Sequence, residues 1–260
     1  RIGMPPLTQV LGPWFRPVPS KEATALGREK DLAAELMGRL PAHDAFRQNF
    51  HPEISNWLPW YWLGYRQTTK YSYVIDLVDG PDTLWARMQS NVRGDARKAR
   101  DRHGLLVRED LGVDALAEVC ALTNARQGRR GPPQDIVRRA AEAASKRGCG
   151  AVLAACDPAG RVHAAMLLVW DERRCYYLQG GGDPALRNSG AHSLLVWEAI
   201  QRAASKSRLF DFEGSMVESV ERFFRAFGAR QSPYSQVALV RSRLLRTAAA
   251  LSAAFGRTGR

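Results

Sequence analysis

The order of apolar runs, turn signals and charged stretches predicts an α/β (α+β) chain with a mixed, largely antiparallel sheet flanked by helices. Three observations lead there. The apolar runs GAVLAAC at 150–156, RVHAAMLLVW at 161–170 and RCYYLQGG at 174–181 are separated by DPAG and DERR, the turn signals of an antiparallel meander. Helical patterns precede the meander and alternate with short strands after it, which is not the repeated βαβ of a doubly wound dinucleotide fold, and no G-x-G-x-x-G is present. A chain of 260 residues, 45% hydrophobic and 25% charged, excludes a wholly disordered protein and a small disulfide-stapled one; it leaves one large domain or two small coupled ones.

Taken in order, residues 1–20 are broken by five prolines and read as loop with at most one short strand. KEATALGREKDLAAELMGRL at 21–40 reads as an amphipathic helix that stops before Pro41. An aromatic stretch follows, with Trp57, Trp60 and Trp62, and residues 63–77 alternate as a long strand placing Tyr71, Tyr73 and Ile75 on one face. Pro81 after Asp79 and Gly80 opens a helical segment that continues into the basic SNVRGDARKARDRHG. A short strand at 105–109, helices at 113–127 and 133–147, the meander, a long helix at 186–206, a strand at 208–214, a helix at 217–227 and a strand at 236–244 complete the series.

Lys and Arg number 38 against 26 Asp and Glu, a net charge of +12 that suits RNA, DNA, a phosphorylated cofactor or an acidic surface as partner. Between Trp85 and Arg108 seven Lys/Arg face two Asp, and Arg241, Arg243, Arg246, Arg257 and Arg260 sit in a C-terminal stretch without acids. No run of 18 apolar residues predicts a membrane-spanning helix, and RIGMPPLTQVLGPWF lacks a signal-peptide pattern and reads as the middle of a chain. Cys120, Cys149, Cys156 and Cys175 form no CxxC pair and no cluster with His, so neither a metal site nor a disulfide framework is expected, and the cytoplasm is the default compartment.

Three stretches carry a family resemblance. They are MPPLTQVLGPWF at 4–15 with NWLPWYWLGYRQTTKYSYVIDL at 56–77; NVRGDARKAR at 91–100; and GDPALRNSGAHSLLVWEAI at 182–200 with FDFEGSMVESVERFFRAFGA at 210–229. Together they resemble the Gcn5-related N-acetyltransferase (GNAT) superfamily, and more closely its FemABX group of aminoacyltransferases. The resemblance implies a shortened first GNAT-like domain at 1–77 packed on a complete second one at 78–250, with a basic tail at 251–260. It implies transfer of an aminoacyl group from aminoacyl-tRNA to a small-molecule or peptide amine, such as a peptidoglycan precursor or a natural-product amine, with no tightly bound cofactor and no covalent enzyme intermediate. Two alternatives stay open: an acyl-CoA-dependent N-acetyltransferase, and a noncatalytic RNA- or anion-binding module on a GNAT scaffold.

Candidate residues follow. Arg187, Asn188, Ser189, Gly190 and Ala191 resemble the family's phosphate loop, whose backbone N–H groups and helix N-terminus hold a pyrophosphate; a plain glycine turn gives the same pattern. Here His192 takes the position of a small final residue. Asp211 and Glu213, two apart at a strand end, share a face and suit proton transfer from an attacking amine; capping the next helix, or pairing with Arg222 or Arg225, is the other reading. The tRNA-dependent enzymes place a Lys after the Phe of this stretch, where this chain has Phe224, so Arg222 and Arg225 are the candidate substitutes. Tyr65, Gln67 and Tyr71 are candidate contacts to a polar acceptor. Arg93 and Arg97, aligned with Arg100, form a helical stripe for phosphates, or else a solvated charged face.

Overall fold

The computed structural model describes residues 1–242 except Arg129 and Ser215. The expected tail at 251–260 lies outside the described residues. In chain order the elements are α1 (Glu22–Gly38), β1 (Ala45–Asn49), α2 (Leu58–Trp62), β2 (Arg66–Asp76), α3 (Pro81–Arg87), α4 (Ser90–Asp101), β3 (Leu106–Arg108), α5 (Gly112–Gln127), α6 (Gln134–Lys146), β4 (Gly150–Cys156), β5 (Val162–Trp170), β6 (Arg174–Gly182), α7 (Ala191–Ala203), β7 (Leu209–Asp211), α8 (Glu218–Arg225) and β8 (Arg230–Val240). Two compact units form, one from residues 1–70 with the segment from Pro233 onward, the other from residues 71–232. The division falls inside β2, and most of the last strand belongs to the first unit.

The first unit is small. β1 runs antiparallel to β8, with Ala45 opposite Val240 and Asn49 opposite Gln236. Ala33 of α1 packs with Phe46, Phe50, Trp60, Tyr65 and Val237. Phe50 meets Trp60 edge-on at 4.7 Å, and Phe46 meets Tyr65 edge-on at 5.3 Å, the geometry aromatic quadrupoles favour.

In the second unit the strand order is β2-β7-β6-β5-β4-β3, antiparallel except for the β6–β7 pair. The meander is closed by aspartates at its turns. Asp157 accepts the N–H groups of Ala159 and Arg161, and Asp171 accepts those of Arg173 and Arg174. α4 and α7 cover one face, where Val92, Ala96 and Ala99 at i, i+4, i+7 meet Leu194, Leu195, Phe210 and Phe212. α5 and α6 pack on the meander. The same spacing that buries Val92, Ala96 and Ala99 of α4 leaves Arg97 and Arg100 exposed.

Several elements differ from the sequence expectation for local reasons. The helix expected from 186 starts at Ala191, because Asp183 accepts the Ala185 N–H to set a 3-10 turn over Pro184–Ser189, and Gly190 then adopts φ 80°. β7 is three residues long, since Glu213 (φ 57°) and Gly214 (φ 63°) turn left-handed directly beyond it. β8 begins at Arg230 and runs through Pro233, the residue that argues for a turn in the sequence. β1 and α2 are too short to show a period.

The glycine run of β6 is a packing device. A Cβ at Gly181 would come 2.6 Å from the Val119 carbonyl and 2.7 Å from Cys120 Cα, so α5 rests directly on the strand backbone. Gly181→Val is expected to lower the unfolding free energy by at least about 1–3 kcal/mol in urea titration. Gly27→Val, at an α1 position with nothing within 4 Å, is expected to leave it nearly unchanged.

Candidate active site

The chemistry-bearing groups collect where β6 and β7 part. Their rungs run Arg174–Leu209, Cys175–Phe210 and Tyr176–Asp211 and then stop. β6 continues along β5 to Gly182, whereas the chain after β7 stays with β2, the Phe212 N–H donating to the Tyr73 carbonyl at 2.9 Å. The two parallel strands therefore splay from Tyr177 onward. A β-bulge sits at the same level. Leu167 opposes Gln179 and Leu168 opposes Tyr177, so Leu178 has no opposite residue on β5. The extra residue reverses which way the following side chains face. Tyr177 packs with the α7-side core and meets Phe224 at 6.0 Å, whereas Gln179 reaches the Cys120 thiol on α5. Gln179 Oε1 is buried without a hydrogen-bond partner.

At the last rung a buried polar node ties β2, β6 and β7. Arg174 Nη1 donates to Asp211 Oδ2 at 2.7 Å, the Ser72 hydroxyl donates to Asp211 Oδ1, and the Glu213 N–H donates to the same oxygen at 2.8 Å. Arg174, Asp211 and Ser72 are all buried. Asp211 is thus occupied by a guanidinium and two further donors. It anchors the turn into Glu213 by accepting that residue's N–H. Glu213 lies beyond the strand in a left-handed conformation rare for a residue with a Cβ. Burial, reinforced by the charge of Asp211, raises its pKa to about 9. Tyr176 lies close by; burial raises its pKa to about 12, and it feels both carboxyls.

The loop before α7 joins this region from the other end of β6. Arg187 and Asn188 are exposed, Ser189 is buried, and the Ser189 hydroxyl accepts the Ala191 N–H at 3.4 Å. A side chain at Gly190 would collide with the Asp95 carbonyl, so the α4 backbone abuts the loop. The His192 ring lies against Gly182 and meets Phe223 edge-on at 6.4 Å. Burial, with Arg126 adding to it, lowers the His192 pKa to about 4, so the ring is neutral at pH 7.

On α4, Arg93 is half-buried while Arg97 and Arg100 are exposed; the Arg97 guanidinium stands 5.5 Å over the Trp85 ring, a cation–π contact. A shallow depression of about 490 Å³ is lined by Asn91, Gly94, Asp95, Arg97, Lys98 and Arg102 among others. The structure therefore brings together Asp211 and Glu213, and, separately, Arg187–Ala191 with α4. Tyr71 is partly exposed, and its carbonyl abuts Gly214. Tyr65 and Gln67 belong to the first unit. Tyr65 is a buried core residue, and Gln67 donates to Thr69 and Ser235. Arg222 and Arg225 are exposed on α8 and pair with Glu218 and Glu221 at 3.0 and 2.9 Å. Sequence reasoning missed Arg174, Ser72, Tyr176 and the bulge. An Arg at the head of an otherwise apolar meander strand was the available signal.

The family model described as an acetyltransferase (GNAT) domain matches residues 86–225. No curated protein matches. Among solved structures the chain is similar to FemX (TM-score 0.67, 14% identity, covering 82% of this chain and 77% of that one). It is also similar to the C-terminal domain of a putative lysylphosphatidylglycerol synthetase from Agrobacterium fabrum (0.56, 15%, 86% and 76%) and to L-PGS from Bacillus licheniformis (0.51, 12%, 86% and 75%). At these identities the likeness concerns the fold.

Two measurements check the node. Arg174→Met leaves Asp211 buried without its guanidinium and is expected to cost about 3–5 kcal/mol in urea titration. Glu213 stays protonated in the folded protein up to about pH 9, whereas the unfolded chain loses this proton near 4.5. Its stabilising contribution is therefore complete below pH 4.5 and lost as pH climbs to 9. Thermal melts of Glu213→Gln are expected to fall less between pH 6 and 9 than those of the parent.

Proposed function

Because this chain belongs to the acetyltransferase (GNAT) domain family, we propose that it moves an aminoacyl group from aminoacyl-tRNA to an amine by direct attack, with Glu213 as the base. The observation that carries this reading is the placement of a half-buried carboxyl of raised pKa just past the point where the β6–β7 pairing stops. The amine nitrogen attacks the carbonyl carbon of the donor ester. A C–N bond forms, and the amine proton passes to the Glu213 carboxylate. The C–O bond to the ribose then breaks, and the departing oxygen takes a proton, for which protonated Glu213 is a source. Backbone N–H groups of β6 near 179–181, beyond its rungs with β7, stabilise the charge on the carbonyl oxygen, the Gly182 N–H being given to the Thr123 hydroxyl at 2.9 Å. Asp211 and Arg174 hold the peptide that carries Glu213. No covalent enzyme intermediate is needed.

The polyanionic donor is supported by the contact between Gly190 and Asp95, which makes the loop bearing Arg187 and Asn188 a neighbour of the basic helix α4. Arg93, Arg97 and Arg187 would then contact phosphates. The acceptor is read as a small-molecule or peptide amine, beside Tyr71. The first unit is read as a shortened partner domain. A second reading, an acyl-CoA donor, has its support in the same loop: a glycine turn at the N-terminus of a 13-residue helix suits a pyrophosphate.

Turnover is to be measured with aminoacyl-tRNA and with acyl-CoA across several amines. RNase-sensitive transfer is expected. RNase-resistant transfer from acyl-CoA selects the second reading, and no turnover with either donor rejects acyl transfer. The rate is expected to rise with pH toward an apparent pKa near 9 as Glu213 ionises. Glu213→Gln is expected to lose that limb and about 10²–10⁴-fold in kcat.

A further inference from the structure

The first unit displays an apolar tip that its own core does not use. In α2 and the residue after it, Trp60 turns inward and is 1% exposed, whereas Leu58, Tyr61, Trp62 and Leu63 are 48, 58, 61 and 45% exposed. This outward set is not free to fold back. Trp60 is clamped edge-on by Phe50, and Tyr61 is held edge-on by Trp57 at 5.5 Å. Four large apolar side chains over six consecutive positions make a contiguous patch of the kind that marks an interaction site. Tyr and Trp are the residues that settle at the boundary between lipid headgroups and acyl chains, where an apolar ring and a polar edge are both satisfied.

The charge of the sequence that carries the tip points to an anionic partner. No Asp or Glu occurs between Ile54 and Ile75, while Arg66 and Lys70 do. The sequence segments 1–70 and 233–260 hold 14 Lys and Arg against 6 Asp and Glu, which is +8 of the chain's +12 in well under half its length. Neither signal suffices alone. A few rings insert shallowly, and scattered basic residues attract weakly, but the two together give stable adsorption to an anionic bilayer. Among the described residues no helix is long and apolar enough to cross a membrane, so the contact is with the surface.

We propose that the first unit docks on an anionic phospholipid surface, with Leu58, Tyr61, Trp62 and Leu63 inserted at headgroup depth and Arg66 and Lys70 beside the lipid phosphates. This inference does not depend on the acyl-transfer reading.

The test is co-sedimentation of the full chain with phosphatidylcholine vesicles and with mixed phosphatidylcholine–phosphatidylglycerol vesicles, at low and high salt. Binding is expected to the mixed vesicles only and to weaken with salt. The double variant Tyr61→Ser, Trp62→Ser is expected to bind about tenfold more weakly, with an unchanged thermal melt because both side chains are exposed. The proposal is overturned if the parent fails to bind mixed vesicles at low salt, or if the variant binds as well as the parent, leaving charge alone as the cause. It is also overturned if ultracentrifugation without vesicles shows a dimer that the variant abolishes, since the tip then belongs to a second copy.

Discussion

The ion pair between Arg174 and Asp211 is the constraint on which the site depends. Two charges buried at opposite ends of a three-rung parallel strand pair are tolerated because each satisfies the other and Ser72 and the Glu213 N–H donate to the other carboxylate oxygen. The pair fastens β6 to β7 up to Tyr176 and Asp211, and beyond that point nothing in the ladder holds them together. The splay is the consequence. The same carboxylate fixes the peptide of Glu213, so the strained left-handed turn and the strand separation share one cause.

β6 meets its neighbours through absence of side chains. Gly181 admits the α5 backbone, and Gly182 admits the His192 ring from α7. The bulge at Leu178 then sends Tyr177 and Gln179 to opposite faces. A glycine-rich strand end in an acyltransferase chain invites assignment to phosphate binding. Here these glycines answer to helix packing, and the loop at 187–190, a few residues later, keeps the exposed arginine. Gly190 is likewise required twice, by its φ of 80° and by the Asp95 carbonyl.

Much of the second unit was legible because its signals are local. Asp–Pro and Asp–Glu turns delimit strands whose apolar runs are continuous, and Val92, Ala96 and Ala99 recur at helical spacing. The sequence places Glu213 and Asp211 together just past a strand end, and they lie together there. What was not readable depended on contacts between residues far apart in sequence. Asp211 looks like a second acid until Arg174, 37 positions earlier, is seen to occupy it. Tyr65 looks like a polar contact until Phe46 and Val237 enclose it. β1 escaped notice because AFRQN has no alternation long enough to exceed chance; its partner strand lies at the other end of the chain.

The sequence by itself determined the class of fold, the meander, the basic helix and the glycine turn before α7, because each is read from local patterns and their order along the chain. The tertiary structure decided three things: which carboxyl is bound by a guanidinium, where the β6–β7 pairing stops, and which tryptophans face outward. Burial is a property of packed neighbours rather than of residue type. Glu213 and Asp211 are two residues apart and chemically alike, yet one is neutralised by an arginine and the other is lifted to a pKa of about 9. Trp60 and Trp62 differ in the same way, one at the centre of a core and the other in solvent.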